Sequence, residues 1–157
     1  MLPKFHLIFG LILSIIIFLI FPEIGYLGLI IILMSSVLID VDHYLFYAFT
    51  KKDLSLKNAH SWFIEKNKEA MKLSRKERLK INQIPCIFHG IETIIVIILL
   101  SFISKIFFYI LIGLLFHQLL DFIWILSHNF SLKHLSFQTY NILNYKIQKS
   151  SNDKKKK

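Results

Sequence analysis

Cysteine is nearly absent from this 157-residue chain: Cys86 stands alone, so no intramolecular disulfide can form and the redox compartment is not encoded. Glycine (5) and proline (3) are also scarce, which leaves few signals for turns and argues for long uninterrupted elements. Acids are outnumbered, 10 Asp and Glu against 19 Lys and Arg. Most telling is where positive charge is missing. No Lys or Arg falls within residues 5–21, 26–49, 84–103 or 106–126, which are almost wholly Ile, Leu, Phe and Val. A soluble domain does not carry such runs in a chain that is 55% hydrophobic.

Each run approaches the roughly 20 residues that a helix needs to cross the hydrocarbon core. The first has only Lys4 before it, and Pro22-Glu23-Ile24-Gly25-Tyr26 after it offers no small-residue cleavage site, so a retained helix is expected, not a signal peptide. The second is interrupted by Asp40, Asp42 and His43 but resumes as Tyr44-Leu45-Phe46-Tyr47-Ala48-Phe49, which reads as one continuous helix with its polar groups turned inward. The expected fold is all-α: a four-helix transmembrane bundle forming residues 1–130, with a cytoplasmic amphipathic loop at 51–83 and a basic, partly disordered tail at 131–157. The loop reads either as one or two helices on the membrane surface or as a solvated basic segment. Ser74-Arg75-Lys76-Glu77 has the spacing of a capping box, and Trp62, Phe63, Ala70, Met71 and Leu73 form a partial apolar stripe.

The basic balance does not point to nucleic acid. The loop holds ten Lys and Arg against four acids, and the tail after residue 127 seven Lys against one acid, whereas the other two connections carry only Glu23 and Lys105. The positive-inside rule then puts the loop, the tail and both termini in the cytoplasm, where the basic segments would meet anionic lipid headgroups. The expected location is a cell or inner membrane, and oligomerisation is compatible with it.

Eight ionisable residues nevertheless lie in the runs: His6, Asp40, Asp42, His43, His89, Glu92, His117 and Asp121. Each is expensive in a bilayer, about 2.5–3.5 kcal/mol or more near the centre. Bare carboxylates in low dielectric, with no lysine or arginine beside them, would protonate or destabilise the fold. One or two divalent metal ions resolve the conflict, and His with carboxylate suits Zn, Mn or Fe. Asp40/His43 and His89/Glu92 are spaced i, i+3 and His117/Asp121 i, i+4, so each pair should share one face of its helix. Alternating topology brings all eight to the cytoplasmic side. Cys86, one turn before His89, reads as a small apolar filler in preference to a soft ligand, and His60, His128 and His134 as solvated surface histidines, with His128 the one that could line the entrance.

His6 in Phe5-His6-Leu7-Ile8-Phe9-Gly10, the run Ile39-Asp40-Val41-Asp42-His43, a His at the start of the third helix and His117-x-x-x-Asp121 together resemble the membrane-bound metal-dependent hydrolases, a family that includes the LexA-binding inner-membrane hydrolases. The resemblance covers residues 5–126. Where that family has His-Arg-Gly-x-Thr-His-Ser, this chain has Phe88-His89-Gly90-Ile91-Glu92-Thr93, without the Arg and the second His. It implies a hydrolase, and a site within the cytoplasmic leaflet suits a membrane-associated substrate, a lipid phosphoester or acyl ester. The metal would activate water, and Asp42 or Glu92 would serve as general base. The rival readings are a divalent-ion or proton transporter using the same residues, a redox di-metal bundle, and a non-catalytic membrane scaffold.

Overall fold

The computed structural model describes residues 3–81, 86–132 and 136–143, and no strand occurs among them. The chain builds α1 (Pro3–Ile20), a 3-10 turn at Pro22–Ile24, α2 (Gly25–Leu38), α3 (Val41–Lys51), α4 (Leu56–Lys72), α5 (Arg75–Arg78), a second 3-10 turn at Ile87–His89, α6 (Ile91–Ser101) and α7 (Lys105–Ser127). A further helical turn occupies 138–143. Gly25 has φ +63°, a conformation that favours glycine, and it reverses the chain between α1 and α2.

Three helical stretches are long and apolar enough to cross a membrane: Pro3–Ile20, Pro22–Lys51 and Lys105–Ser127. The expected third span differs. Its first two residues, 84 and 85, lie outside the described residues, and the remainder is a 3-10 turn followed by 11 helical residues, about 16 Å of rise. The second span differs as well. Its helix tightens at Ile39–Asp40, where the Asp40 N–H reaches Val37 O (3.3 Å) and the His43 N–H reaches Asp40 O (3.1 Å), both three residues back. The backbone there stays in the right-handed helical region, so the break is a local 3-10 step and not a loop.

The bundle is inside-out relative to a soluble protein. Large apolar side chains such as Leu19, Leu27, Phe102 and Ile103 are strongly exposed, whereas His6, Ser14, Ser36, His89, His117 and Asp121 are buried. An apolar exterior around a polar interior is the arrangement a bilayer selects.

Small residues let the helices approach, as expected where lipid removes any hydrophobic drive between them. Gly10 of α1 lies against the Ser36 side chain of α2. Gly113 of α7 lies against Ser35 and the α2 backbone: a methyl group there would stand 2.5 Å from Ile32 O and 2.9 Å from Ser36 N. Gly28 faces the Tyr109 ring, and Ser36 O meets His117. These contacts pair residues 28 with 109, 32 with 113 and 36 with 117, a constant register between two parallel helices that advances one turn at a time. One more turn puts Asp40 level with Asp121. α1 and α6 run the opposite way, each starting at the end where that register finishes.

The 51–83 segment forms helices. Ser55 caps α4, its Oγ accepting from the Asn58 N–H at 3.3 Å. Ser74 and Glu77 form the expected capping box on α5. α4 also docks on α3: Trp62 lies against Tyr47 (5.7 Å between rings) and Phe63 edge-on to His43 (5.5 Å). Asp53 ties the corner by accepting from the Tyr47 hydroxyl (2.6 Å), the Asn58 amide (2.8 Å) and the Ser55 N–H (2.9 Å). His60 is exposed, as expected. His128 is half-buried and stacks on Trp124 at 4.6 Å, where a solvated residue was expected. His134 and the last residues of the tail, including Lys154 to Lys157, lie outside the described residues.

Candidate metal centre

The end of the bundle where α1 begins and α7 finishes gathers its polar groups at one level. α1 contributes His6, the tightened turn Asp40, α3 Asp42 and His43, the 3-10 turn His89, and α7 His117 and Asp121. Seven of the eight expected residues thus belong to three overlapping groups of possible metal donors: His6, Asp40 and His117; His89, His117 and Asp121; and Asp42, His43, Cys86 and His89.

Distances at the centre are short. Nε2 of His117 lies 3.1 Å from Nε2 of His89 and 3.4 Å from Asp121 Oδ2. Nε2 of His89 lies 3.5 Å from both Asp121 Oδ2 and Asp40 Oδ1. Nε2 of His6 lies 3.3 Å from Asp121 Oδ1 and 4.0 Å from Asp40 Oδ2. The His6 and His117 rings stack at 3.9 Å. His6, His89 and His117 are fully buried.

The outer hydrogen bonds decide what these nitrogens present. Nδ1 of His117 lies 2.8 Å from the carbonyl oxygen of Ser36, which only accepts, so Nδ1 carries the proton. Nδ1 of His89 lies 3.2 Å from Asp42 Oδ2, which likewise accepts. In the neutral rings both Nε2 atoms therefore aim lone pairs at each other across 3.1 Å, with the carboxylates of Asp40 and Asp121 alongside. Acceptors alone do not converge in a buried site without a cation between them. A proton on one ring satisfies one such contact. A divalent ion satisfies all of them and neutralises two carboxylates. Tetrahedral ligand atoms about 2.0–2.1 Å from zinc stand about 3.3 Å apart, and the contacts here run from 3.1 to 3.5 Å around His89, His117 and Asp121. The donors therefore fit a divalent metal held by His89, His117 and Asp121, with His6 and Asp40 beside it.

Two expected ligands take other roles. Asp42 stands behind His89: its Oδ2 accepts from the Phe88 N–H (3.0 Å) and meets His89 Nδ1. This is the carboxylate–histidine arrangement that fixes a ligand's tautomer and orientation. Glu92 belongs to none of the donor groups. Its two oxygens accept from the Gln138 N–H (3.1 Å) and the Thr139 N–H (3.0 Å), capping the 138–143 turn. The reason is local. Gly90, with φ −82° and ψ 155°, separates the 3-10 turn from α6, so the i, i+3 spacing of His89 and Glu92 does not place them on one helical face. Gly90 also lets Gln138 close in, since a methyl there would stand 2.7 Å from its Cγ.

Some contributors carry no mark in the sequence. Ser36 acts through its backbone carbonyl, which any residue supplies. Gln138 sits in a stretch that reads as polar tail, yet it is buried and its Oε1 accepts from the Cys86 N–H at 3.3 Å. Cys86, expected as apolar filler, is fully buried with its sulfur 3.0 Å from His43 Nδ1. A cysteine three residues before a histidine was the available signal. Access is one-sided: the His43 side chain is 25% exposed and Asp40 12%, against 0–6% for His6, Asp42, His89, His117 and Asp121.

No protein-family model, curated protein or solved structure matches the chain.

Proposed function

We propose that this chain is an integral membrane hydrolase that depends on a divalent metal, zinc being the best match to its donors, and acts on an ester of a membrane-associated substrate. The observation that carries the metal is the pair of buried imidazole Nε2 atoms 3.1 Å apart, each with its other nitrogen committed to an acceptor. The ion would lower the pKa of a bound water to about 7 and polarise the scissile group. The chain's own residues do the rest. Asp42 and the Ser36 carbonyl hold the His89 and His117 rings in register. His43, on the exposed side of the cluster, lines the approach to it. Glu92, whose oxygens are engaged by backbone amides, is withdrawn from the expected role of general base.

A membrane substrate is favoured by the apolar exterior and by the basic helices α4, whose Phe63 meets His43, and α5, whose Arg78 donates to the His128 carbonyl at the end of α7. Lys57, Lys66, Lys68, Lys72, Arg75 and Lys76 would attract anionic headgroups. The positive-inside rule supports a site in the cytoplasmic leaflet with both termini facing the cytoplasm, an arrangement that requires the short α6 and the 3-10 turn before it to serve as the fourth crossing. The family resemblance noted above supports the same reaction class.

The test is direct. Protein purified in detergent from metal-replete medium should retain at least one equivalent of divalent metal. It should cleave a fluorogenic phosphoester or acyl-ester lipid in mixed micelles, and lose both properties in Asp121→Asn. Absence of stoichiometric metal refutes the reading. Full metal loading with no cleavage of either ester class refutes hydrolysis alone, and metal uptake into proteoliposomes would then assign transport.

A further inference from the structure

Next to the His/Asp centre lie further donors, on Cys86, His43 and Asp42, that the metal shell of the proposed hydrolytic site leaves out. Cys86 Sγ stands 3.0 Å from Nδ1 of His43. Donor atoms of Asp42, His43, Cys86 and His89 all lie within 4.8 Å of one another. Asp42 is 6% exposed, and its Oδ1 is buried with no hydrogen-bond partner, although its other oxygen is engaged by His89 and Phe88. Packing alone accounts for a buried thiol, because free cysteine behaves as a small hydrophobe. A thiol hydrogen bond to the His43 ring accounts for the sulfur contact, but it leaves a buried, unsatisfied carboxylate oxygen of Asp42 in the same group.

The two clusters meet at two rings that face both ways. His89 turns Nε2 toward Asp40, His117 and Asp121 and Nδ1 toward Asp42. His43 turns Nε2 toward Asp40 (3.7 Å) and Nδ1 toward Cys86. His89 is engaged at both nitrogens by the first centre and its outer hydrogen bond. His43 is not buried in that centre, and its Nδ1 is directed at sulfur.

We propose that Cys86 Sγ, His43 Nδ1 and the Asp42 carboxylate form a second cation site, one for a thiophilic divalent ion such as zinc, beside the His/Asp centre. Sulfur makes this site softer than its all-N,O neighbour, so the two differ in metal preference. Three protein donors leave a fourth position of a tetrahedral ion open for water or a substrate oxygen, on the side where His43 is exposed. Binding displaces the thiol proton to solvent, and the thiolate enters the metal shell. The proposal rests on the metal-centre reading for its neighbour and not for its own ligands.

The experiment uses the full chain in detergent, stripped with chelator and titrated with cobalt(II). The expected result is two equivalents bound, with an intense near-ultraviolet thiolate-to-cobalt charge-transfer band. Cys86→Ser should remove the band and one equivalent. Asp121→Asn should remove one equivalent and keep the band. In the zinc-loaded native protein, X-ray absorption at the zinc edge should show sulfur at about 2.3 Å, a measurement that stands even if a variant fails to fold. One equivalent bound with no sulfur in the shell overturns the second site and leaves the first. One equivalent with sulfur merges the groups into a single mixed site and overturns the assignment of two. No metal bound overturns both readings.

Discussion

Replacing Gly113 with alanine should damage the metal centre from a full helical turn away. The added methyl would meet Ser35 Oγ, Ile32 O at 2.5 Å and Ser36 N at 2.9 Å. The serine hydroxyl can rotate aside, but the other two atoms belong to the backbone of α2. Ordinary van der Waals contact begins near 3.4 Å, so α2 must withdraw from α7 by about 1 Å. Overpacking of this kind costs about 1–3 kcal/mol. It also stretches the hydrogen bond between Ser36 O and His117 Nδ1 from 2.8 Å to about 3.8 Å, beyond bonding range. Losing an outer-shell bond of this type lowers metal affinity about 10- to 100-fold. Two measurements check it: melting of the detergent-solubilised protein with and without zinc, and zinc affinity by competition with a chromophoric chelator. Gly10→Ala is the comparison, since its nearest obstacles are side-chain atoms of Ser36 and its effect on affinity should be smaller. Adding Ser35→Ala to Gly113→Ala should not restore affinity. Native affinity and melting temperature in Gly113→Ala would refute the reasoning, because the parallel α2–α7 register would then not set the position of His117.

Other perturbations separate the roles assigned above. Asp42→Asn should keep the first ion at saturating metal but bind it about 10- to 100-fold more weakly, as loss of the His89 orienting carboxylate predicts; unchanged affinity by the same competition assay would remove Asp42 from that role. Glu92→Gln should free the 138–143 turn, seen as faster hydrogen exchange or proteolysis there, with metal content unchanged; a loss of metal would return Glu92 to the ligand set. Asp53 supports a pH prediction: hydrogen bonds from the Tyr47 hydroxyl, the Asn58 amide and the Ser55 N–H hold its carboxyl below the ordinary 3.8. A depressed folded-state value contributes stability above about 3.9 that is lost as pH falls through the lower folded value. Protection of the α3–α4 corner should therefore decline in acid in the native chain and show a weaker acid dependence in Asp53→Asn, as read by hydrogen exchange.

Much of the site was legible before folding because cost made it so. A histidine or aspartate in a run of Ile and Leu has no cheap structural role, and the pairs His117/Asp121 and Asp40/His43 survive because i, i+4 and i, i+3 neighbours stay close in regular and slightly tightened helix alike. His89/Glu92 failed under the same rule, because Gly90 breaks the helix between them and turns Glu92 toward backbone amides of residues 138 and 139. Asp42 looked like a ligand of the His/Asp centre and lies behind one there, its Oδ2 against His89 Nδ1. Spacing cannot separate inner from outer shell, since both need the same residue type at the same height.

The sequence by itself determined that the chain is helical, that its exterior is apolar, and that the ionisable residues in its apolar runs collect at one end. Periodicity, the roughly 20-residue length of a span and the expense of buried charge are local or additive properties, readable without coordinates. Only the tertiary structure decided which nitrogen of each ring faces inward, that Cys86 and Gln138 join the cluster, and that the third apolar run yields just 11 helical residues. These depend on contacts between residues far apart in the chain, such as Ser36 with His117 and Cys86 with His43, and on backbone atoms that every residue shares.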